Sequence, residues 1–228
     1  PPLTTNRIMH MTLSIGSTAP DFTAETTQGT ITFHDWMGDN WAILFSHPKA
    51  FTPVCTTELG YMAGLGEEFA KRDTKILGLS VDSSQDNRDW LPDIEAVSGN
   101  KVDYPVVGDS DLKVAKLYNM LPAEETGSAE QRTAADNATV RAVYIVGPDK
   151  KIRAMLLYPM SSGRNFEEVL RLLDSVQLTE SKGVATPVNW QSGDDVIIPP
   201  SVSDKEAKAR FPQGFTTLRP YLRTVKID

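Results

Sequence analysis

The sequence predicts an α/β fold with a sheet flanked by helices, because short apolar runs alternate along the chain with longer amphipathic stretches. The apolar run Ile43–Ser46 ends at His47-Pro48 and is typical of a buried strand. Apolar residues at helical spacing follow over 56–71, so a helix is expected to begin at or near Cys55. The alternation continues with predicted strands at Lys75–Val81 and Val106–Val107 and predicted helices at Asn87–Val97 and Leu112–Leu117.

The second half of the chain predicts a hairpin followed by a helix. Two apolar runs, Val140–Val146 and Ile152–Tyr158, flank Gly147-Pro148-Asp149-Lys150, which is the pattern of a β-hairpin. An amphipathic helix is predicted over Phe166–Leu178 and closes a main domain of residues 13–178. The polar segment 123–139 between the two halves suits an exposed loop or a short helix.

The two ends of the chain differ from this main domain. Residues 1–12 are expected to be an N-terminal extension, which is a leftover segment, a processed targeting sequence or residues added during cloning, because the first ten residues contain Arg7 and no acid. Residues 179–228 are rich in proline beyond Gly183 and have too few periodic apolar residues for a core of their own. We therefore expect this C-terminal domain to pack on something else, at a dimer interface.

Composition and charge exclude several classes of protein. The formal net charge of −7 argues against a general nucleic-acid binder, and no apolar run approaches the roughly 18 to 20 residues that span a bilayer. A single cysteine excludes an internal disulfide framework and a zinc site built on several thiolates. With three histidines in the chain, no metal site is expected. These features predict a soluble intracellular protein.

The one cysteine, Cys55, stands at the predicted start of a helix. Unpaired amide groups there carry partial positive charge, which favours the nucleophilic thiolate. The loop before it contains two prolines, Pro48 and Pro53, that fix the backbone, and the hydroxyl of Thr52 three residues before the sulfur, so Thr52 and Cys55 could face one small cavity. Composition alone favours the other interpretation, in which a lone cysteine is a small buried hydrophobic residue.

The residues around Cys55 favour a nucleophile. The string HPKAFTPVCTTE, with Pro48-x-x-x-Thr52-x-x-Cys55 inside it, resembles the signature of the peroxiredoxin family, of the alkyl hydroperoxide reductase/thiol-specific antioxidant superfamily. The strings APDF, LFSHP, LGLSVD, YP, GRNFEE and VATPVNW extend the resemblance along the chain, and the last three with the long C-terminal segment are similar to the one-cysteine branch. The resemblance implies a thioredoxin-like fold with a central mixed sheet and assigns Cys55 as the peroxidatic cysteine.

The resemblance also implies roles for residues near the sulfur. Arg141, which opens a predicted strand, is expected beside Cys55, where it would favour the thiolate and donate to the peroxide. Thr52 would hold the substrate oxygens, and Pro48 would shield the sulfur from water. Without the motif, an arginine at the start of a strand is more often a solvated edge charge.

Three further residues are assigned supporting roles by the same resemblance. Glu58 is expected to orient Arg141 and Arg164 through ion-pair hydrogen bonds, although an acid in a first helical turn is ordinarily a surface residue. His47 stands where other branches often carry tyrosine. Its ring would bond the sulfenate or tune the pocket, or it is only packed at the end of its strand.

The expected reaction needs a partner for its second half. Attack of the thiolate on hydrogen peroxide or an organic hydroperoxide gives a sulfenic acid, and with no second cysteine the chain cannot resolve it as a disulfide. No bound cofactor is expected, and recycling would use glutathione with a transferase or glutaredoxin, or thioredoxin. The resemblance also implies a homodimer formed by pairing of sheet edges. We expect a cytoplasmic protein, with a mitochondrial location as the alternative.

Other activities remain to be weighed against peroxide reduction. Mammalian members of the branch are credited with phospholipase A2 activity, attributed to a serine, a histidine and an aspartate. His34 and Asp149 match the histidine and the aspartate, but Asn40 replaces the serine, so lipid hydrolysis is not expected.

Thiol–disulfide exchange needs a second cysteine where Thr52 stands. No histidine arrangement suggests a cysteine protease. A peroxide sensor or a chaperone-like redox protein stays open as an alternative.

Overall fold

The computed structural model describes residues 13–123 and 137–228, which form two compact units divided in sequence between Arg164 and Asn165. The predicted N-terminal extension and most of the polar segment 123–139 lie outside the described residues. In the part of the chain that is described, no helix is both long and apolar enough to cross a membrane.

The first unit holds alternating strands and helices, as the sequence predicts. Its described strands are β1 (Thr23–Thr26), β2 (Gly29–Thr32), β3 (Trp41–Ser46), β4 (Thr74–Ser80), β5 (Val106–Gly108), β6 (Arg141–Val146) and β7 (Ile152–Tyr158). Its described helices are α1 (Phe33–Met37), α2 (Pro53–Gly64), α3 (Gly66–Ala70), α4 (Ser84–Ser98) and α5 (Lys113–Leu117).

These strands form one mixed seven-stranded sheet in the order β2-β1-β5-β4-β3-β6-β7. Strands β3, β4 and β5 run parallel, while β6 is antiparallel to β3 and to β7. The predicted hairpin between β6 and β7 is confirmed, with Arg141 opposite Tyr158. Because β3 and β4 are parallel neighbours, their carboxyl ends reach the same edge of the sheet, where ligand sites of α/β folds commonly form.

The helix predicted over 56–71 is divided in two. Helix α2 ends at Gly64 and α3 starts at Gly66, with Leu65 between them at φ −94° and ψ 3°. Three glycines, Gly60, Gly64 and Gly66, fall within this stretch, and glycine is a poor helix former because it loses more backbone freedom than other residues. Apolar periodicity therefore predicted the position of the helix but not this break.

The second unit, residues 165–228, combines two helices with a small antiparallel sheet in the order β8-β10-β9. Its elements are α6 (Phe166–Lys182), β8 (Val196–Ile198), α7 (Asp204–Arg210), β9 (Thr216–Arg219) and β10 (Leu222–Val225).

Residues of the second unit form a hydrophobic cluster, so the expectation that the C-terminal segment has no core of its own is wrong. Its buried members are Val184, Trp190, Val196, Ile198, Val202, Ala207, Phe211 and Val225. They come from short strands, a short helix and turns, so no helical or strand period links them in the sequence. Leu178 of α6 packs against this cluster, so α6 belongs with the residues that follow it and the unit begins before the expected border near residue 178.

Candidate active site

Cys55 lies in the first turn of α2 and is fully buried. Thr52 is the N-cap residue of this helix, with extended backbone, and Pro53 takes the first helical position, where its missing N–H costs nothing. The amide end of a helix carries about half a positive elementary charge. The prediction that a helix begins at Cys55 is confirmed to within two residues, and the sulfur lies where this field favours an anion.

Arg141 contacts the sulfur directly. Its Nη1 lies 3.2 Å from Cys55 Sγ and donates a hydrogen bond to it, although the two residues are 86 positions apart in sequence. Pairing of β6 with central strand β3 fixes the start of β6, and Arg141 Nε donates to the carbonyl oxygen of Met160 at 2.8 Å. A buried guanidinium beside the sulfur presents N–H donors to the sulfur and to an oxygen that approaches it.

Glu58 holds two arginines at once. Its Oε1 accepts from Arg141 Nη1 at 2.6 Å and from Arg164 Nη2 at 2.9 Å, while Oε2 accepts from both Nε and the backbone N–H of Arg164 at 2.8 Å. The remaining Arg164 nitrogen, Nη1, donates to the Ala142 carbonyl at 2.8 Å. All three ionised side chains are buried, so the network fixes the orientation of the guanidinium that touches the sulfur.

Pro48 and Thr52 lie in the loop between β3 and α2. Pro48 is buried and Thr52 is half-buried. The Thr52 hydroxyl donates to the carbonyl oxygen of Lys49 at 2.7 Å, which leaves lone pairs on the hydroxyl oxygen to accept a proton from another group. A shared cavity for Thr52 and Cys55 stays a prediction.

His47 closes β3 and is completely buried against the Trp90 ring, with ring centroids 5.2 Å apart. Among the residues that the structure describes, neither ring nitrogen has a hydrogen-bond partner of good geometry, although the nearby Asn87 amide acts to raise the pKa of His47. Burial, followed by the positive charge of Arg164, lowers the pKa of His47 to about 3. His47 is therefore a neutral group at neutral pH.

Sequence reasoning missed a group of polar residues at the end of β4. Asp82 is buried, and its Oδ2 accepts from the backbone N–H of Ala50 and from the Ser80 hydroxyl, both at 2.8 Å. Ser80 also contacts the buried amide of Asn87. One signal was available in the sequence: an acid directly follows the buried strand that runs parallel to β3.

The three residues at the hydrolase-like positions make separate contacts. The Asn40 amide donates to the Met37 carbonyl, and His34 Nε2 contacts the Ala19 carbonyl oxygen at 2.7 Å. Asp149 accepts from Arg153 at 2.9 Å. The His34 Nδ1 atom lies 3.9 Å from the Asp21 carboxylate. These contacts give no nucleophile for lipid hydrolysis.

Models of two protein families match the chain. Residues 15–155 match the AhpC/TSA family, and residues 175–214 match the C-terminal domain of 1-Cys peroxiredoxin. Among curated proteins, Peroxiredoxin PRX1, mitochondrial, of Saccharomyces cerevisiae is 49% identical over 94% of this chain and 81% of the relative. Peroxiredoxin-6 of Gallus gallus is 48% identical over 90% of this chain and 91% of the relative.

Solved structures agree with this assignment. The yeast mitochondrial 1-Cys peroxiredoxin, studied for thiol resolving via glutathione/thioredoxin systems, matches with a TM-score of 0.85 and 47% identity, covering 95% of this chain and all of that one. A cysteine-to-serine mutant of the peroxiredoxin 6 of Arenicola marina matches with a TM-score of 0.87 and 41% identity over 94% and 98% of the two chains. The prediction of a thioredoxin-like fold is confirmed. The chain belongs to the peroxiredoxin family, in its one-cysteine branch, and is a thiol-dependent peroxidase with one cysteine, Cys55.

Proposed function

We propose that Cys55 is the peroxidatic cysteine and that Arg141 is the main group that activates it. The observation that carries this assignment is the 3.2 Å hydrogen bond from Arg141 Nη1 to a fully buried sulfur in the first turn of α2. Both the guanidinium and the helix amides stabilise negative charge at that point. The same donors can stabilise the negative charge that develops on the peroxide during the reaction.

The thiolate attacks one oxygen of the hydroperoxide in line with the O–O bond. A sulfur–oxygen bond forms while the O–O bond breaks, so the sulfur loses two electrons and becomes sulfenic acid. The departing oxygen takes the electron pair and, after protonation, leaves as water or an alcohol. Thr52, whose hydroxyl proton is engaged by Lys49, accepts a hydrogen bond from the peroxide, and Pro48 excludes water from the sulfur.

Glu58 and Arg164 act as positioning residues for Arg141. Four hydrogen bonds end on the Glu58 carboxylate, and three of them come from Arg164. Arg164 also donates to the Ala142 carbonyl of β6. The sheet therefore fixes the position of the Glu58 carboxylate through Arg164, and the carboxylate fixes Arg141. His47 lies near these charges, and its ring nitrogens bond no side chain or backbone group within the described ranges, so it supplies a further polar group that bonds the sulfenate.

A stopped-flow measurement with hydrogen peroxide tests the assignment. We expect the reduced protein to react far faster than free cysteine, Cys55→Ser to be inactive, and Arg141→Gln to lose most of the rate. Arg153→Gln is the matched control and should leave the rate unchanged, because Arg153 lies on β7 and pairs with Asp149 of the β6–β7 turn. A wild-type rate no faster than that of free cysteine would refute the peroxidase assignment. An unchanged Arg141→Gln rate would refute only the role of Arg141.

For the second half of the cycle we propose an external thiol, glutathione with a transferase or glutaredoxin, or thioredoxin. A thiol would attack the sulfenic sulfur, release water and leave a mixed disulfide, which a second thiol would reduce to free Cys55. The yeast relative, with its glutathione/thioredoxin systems, supports these candidates. A coupled assay with each reductant in turn tests them. Oxidation by one equivalent of peroxide with no turnover under any reductant would instead indicate a peroxide sensor.

We further propose a homodimer in which sheet edges pair and residues 179–228 lie at the interface. Strand β7 is an edge of the seven-stranded sheet, with Leu157 61% exposed, and the β9–β10 hairpin exposes Leu218 and Tyr221. The start of β7 is bonded through Ile152 to Gly16 and Ser17, and exposed apolar side chains further along this outer strand suit association with a second copy. Light scattering should give twice the monomer mass for the wild type and a smaller mass for Leu157→Lys.

Two compartments are candidates for the location in the cell. We propose a cytoplasmic protein, with the mitochondrion as the alternative that the yeast relative supports. Fractionation of cells that express the natural full-length protein with a C-terminal tag distinguishes the two compartments.

A further inference from the structure

The Asp82 carboxylate makes a buried contact with the loop that precedes Cys55. Asp82 is 6% exposed, and its Oδ2 accepts from the backbone N–H of Ala50, 32 residues away in sequence. The Ser80 hydroxyl donates to the same oxygen, and no cation pairs with Asp82 within the described ranges. A buried carboxylate that is stabilised by hydrogen bonds rather than by a counter-ion depends strongly on those bonds.

This contact is the hydrogen bond that ties the middle of the loop to the sheet. Pro48 and Pro53 have no N–H, and of the four residues between them Ala50 is the one whose N–H finds an acceptor among residues that the structure describes. The Thr52 hydroxyl bonds to Lys49, within the loop itself. Loss of the Asp82 contact would therefore release the loop between its two prolines.

The backbone next to the tethered residue is strained. Phe51 has φ 58°, in the left-handed region that bulky side chains rarely adopt, and its side chain is 55% exposed. Phe51 therefore gains little burial to offset this strain. The Ala50 contact with Asp82, one residue earlier, is placed to hold the strained conformation.

We propose that Asp82 is a positioning residue that holds the loop between Pro48 and Pro53 closed around Cys55 and sets how often the sulfur becomes accessible to a bulky thiol. The proposal rests on Cys55 as the reacting group. Cys55 is fully buried, so a reductant of the size of glutathione reaches the sulfur only when the loop opens, whereas reaction with peroxide uses the geometry that the closed loop gives Thr52. One hydrogen bond thus supports the first half-reaction and opposes the second.

Two rates measured on Asp82→Ala test this role. The rate of reaction with hydrogen peroxide is expected to fall on the order of 10- to 100-fold, because the loop carrying Thr52 loses its geometry. The rate at which the reduced protein reacts with the bulky aromatic disulfide DTNB is expected to rise roughly tenfold or more. Asp93→Ala removes an exposed acid from α4 and is the matched control for both rates.

A second variant and a denaturant series separate the tether from general loss of stability. Asp82→Asn keeps an acceptor for the Ala50 N–H and should recover most of the peroxide rate. In Asp82→Ala the DTNB rate should stay constant at urea concentrations below the unfolding transition, because local opening exposes little surface.

Each contrary result has a defined meaning. An unchanged DTNB rate in Asp82→Ala, or one that rises with urea as global unfolding does, would overturn the tether. Equal losses in Asp82→Asn and Asp82→Ala would overturn it too, because the hydrogen bond to Ala50 would then not be what matters. A wild-type protein that fails to react rapidly with peroxide would instead refute the proposed function of Cys55.

Discussion

Arg164 binds Glu58 through three N–H donors, its backbone amide, Nε and Nη2, at 2.8 to 2.9 Å. These bonds fix the Glu58 carboxylate. The carboxylate accepts from Arg141, and Arg141 donates to Cys55. These groups are buried, so solvent screens their interactions little. A substitution at Glu58 should therefore alter the environment of the sulfur through this chain of hydrogen bonds.

Glu58→Gln should damage both stability and activity. The substitution leaves two buried guanidinium groups without their shared carboxylate, and breaking a buried ion pair typically costs about 3–5 kcal/mol of unfolding free energy. We expect the urea midpoint to fall and the peroxide rate to fall on the order of 10- to 100-fold because Arg141 is no longer oriented. Glu95→Gln, an exposed position on α4, is the control. Normal kinetics in Glu58→Gln would contradict the positioning role.

Arg141→Lys separates charge from geometry. Lysine keeps the positive charge, but its single ammonium group cannot reproduce a planar fork that bonds Cys55, Glu58 and Met160 together. We expect the peroxide rate to drop on the order of 100-fold, as for removal of a preorganised donor. Arg153→Lys should leave the rate unaltered. A fully active Arg141→Lys enzyme would show that charge alone is sufficient.

The titration of His47 predicts how stability depends on pH. Burial lowers the pKa of His47 from 6.5 to about 3, so between these values the unfolded chain binds a proton that the folded protein does not. Stability is therefore lost as pH falls through this window, by on the order of 1.4 kcal/mol per pH unit from this residue.

His47→Phe removes that titration and keeps an aromatic ring against Trp90. We expect its unfolding free energy to fall less steeply than that of the wild type between pH 6.5 and pH 4, measured by urea unfolding at constant ionic strength. Parallel curves for the two proteins would show that His47 does not stay neutral in the folded state.

Trp90 should report the state of the site by fluorescence. Its Nε1 donates to the hydroxyl of Thr56, the residue after Cys55, at 3.2 Å, and its ring lies beside His47 and Phe51. Oxidation of Cys55 by one equivalent of peroxide should change the emission because the groups around the indole rearrange. Trp90→Phe should abolish most of this change and Trp36→Phe should keep it. A change that survives Trp90→Phe would assign the signal to another tryptophan.

The main features of the first unit could be predicted from local patterns. The apolar run before His47 predicted β3, and the apolar periodicity after residue 56 predicted a helix that begins near Cys55. The Gly147–Lys150 turn predicted the β6–β7 hairpin. Strands β1 and β2 were not predicted, because these four-residue, Thr-rich segments are largely exposed and lack a clear apolar alternation.

The site was harder to predict than the fold. Helix position made Cys55 a candidate, but the contact with Arg141 joins residues 86 positions apart, and only the family resemblance suggested it. Asp82 follows a buried strand directly, but its partner is the backbone N–H of Ala50, which the residue types do not identify. The contact between Asp82 and Ala50 follows from the parallel pairing of β3 with β4. It can be predicted only when that register is known.

The buried cluster around the sulfur can be counted in unit charges. With Cys55 as thiolate, Arg141 and Arg164 contribute two positive charges and Glu58 and the sulfur two negative ones, so the cluster is neutral. Conversion to an uncharged sulfenic acid leaves one uncompensated cation in a dry environment. Further oxidation to sulfinate restores neutrality. We infer that the charge balance proposed to stabilise the thiolate also favours its irreversible oxidation when no reducing thiol reaches the sulfenic acid.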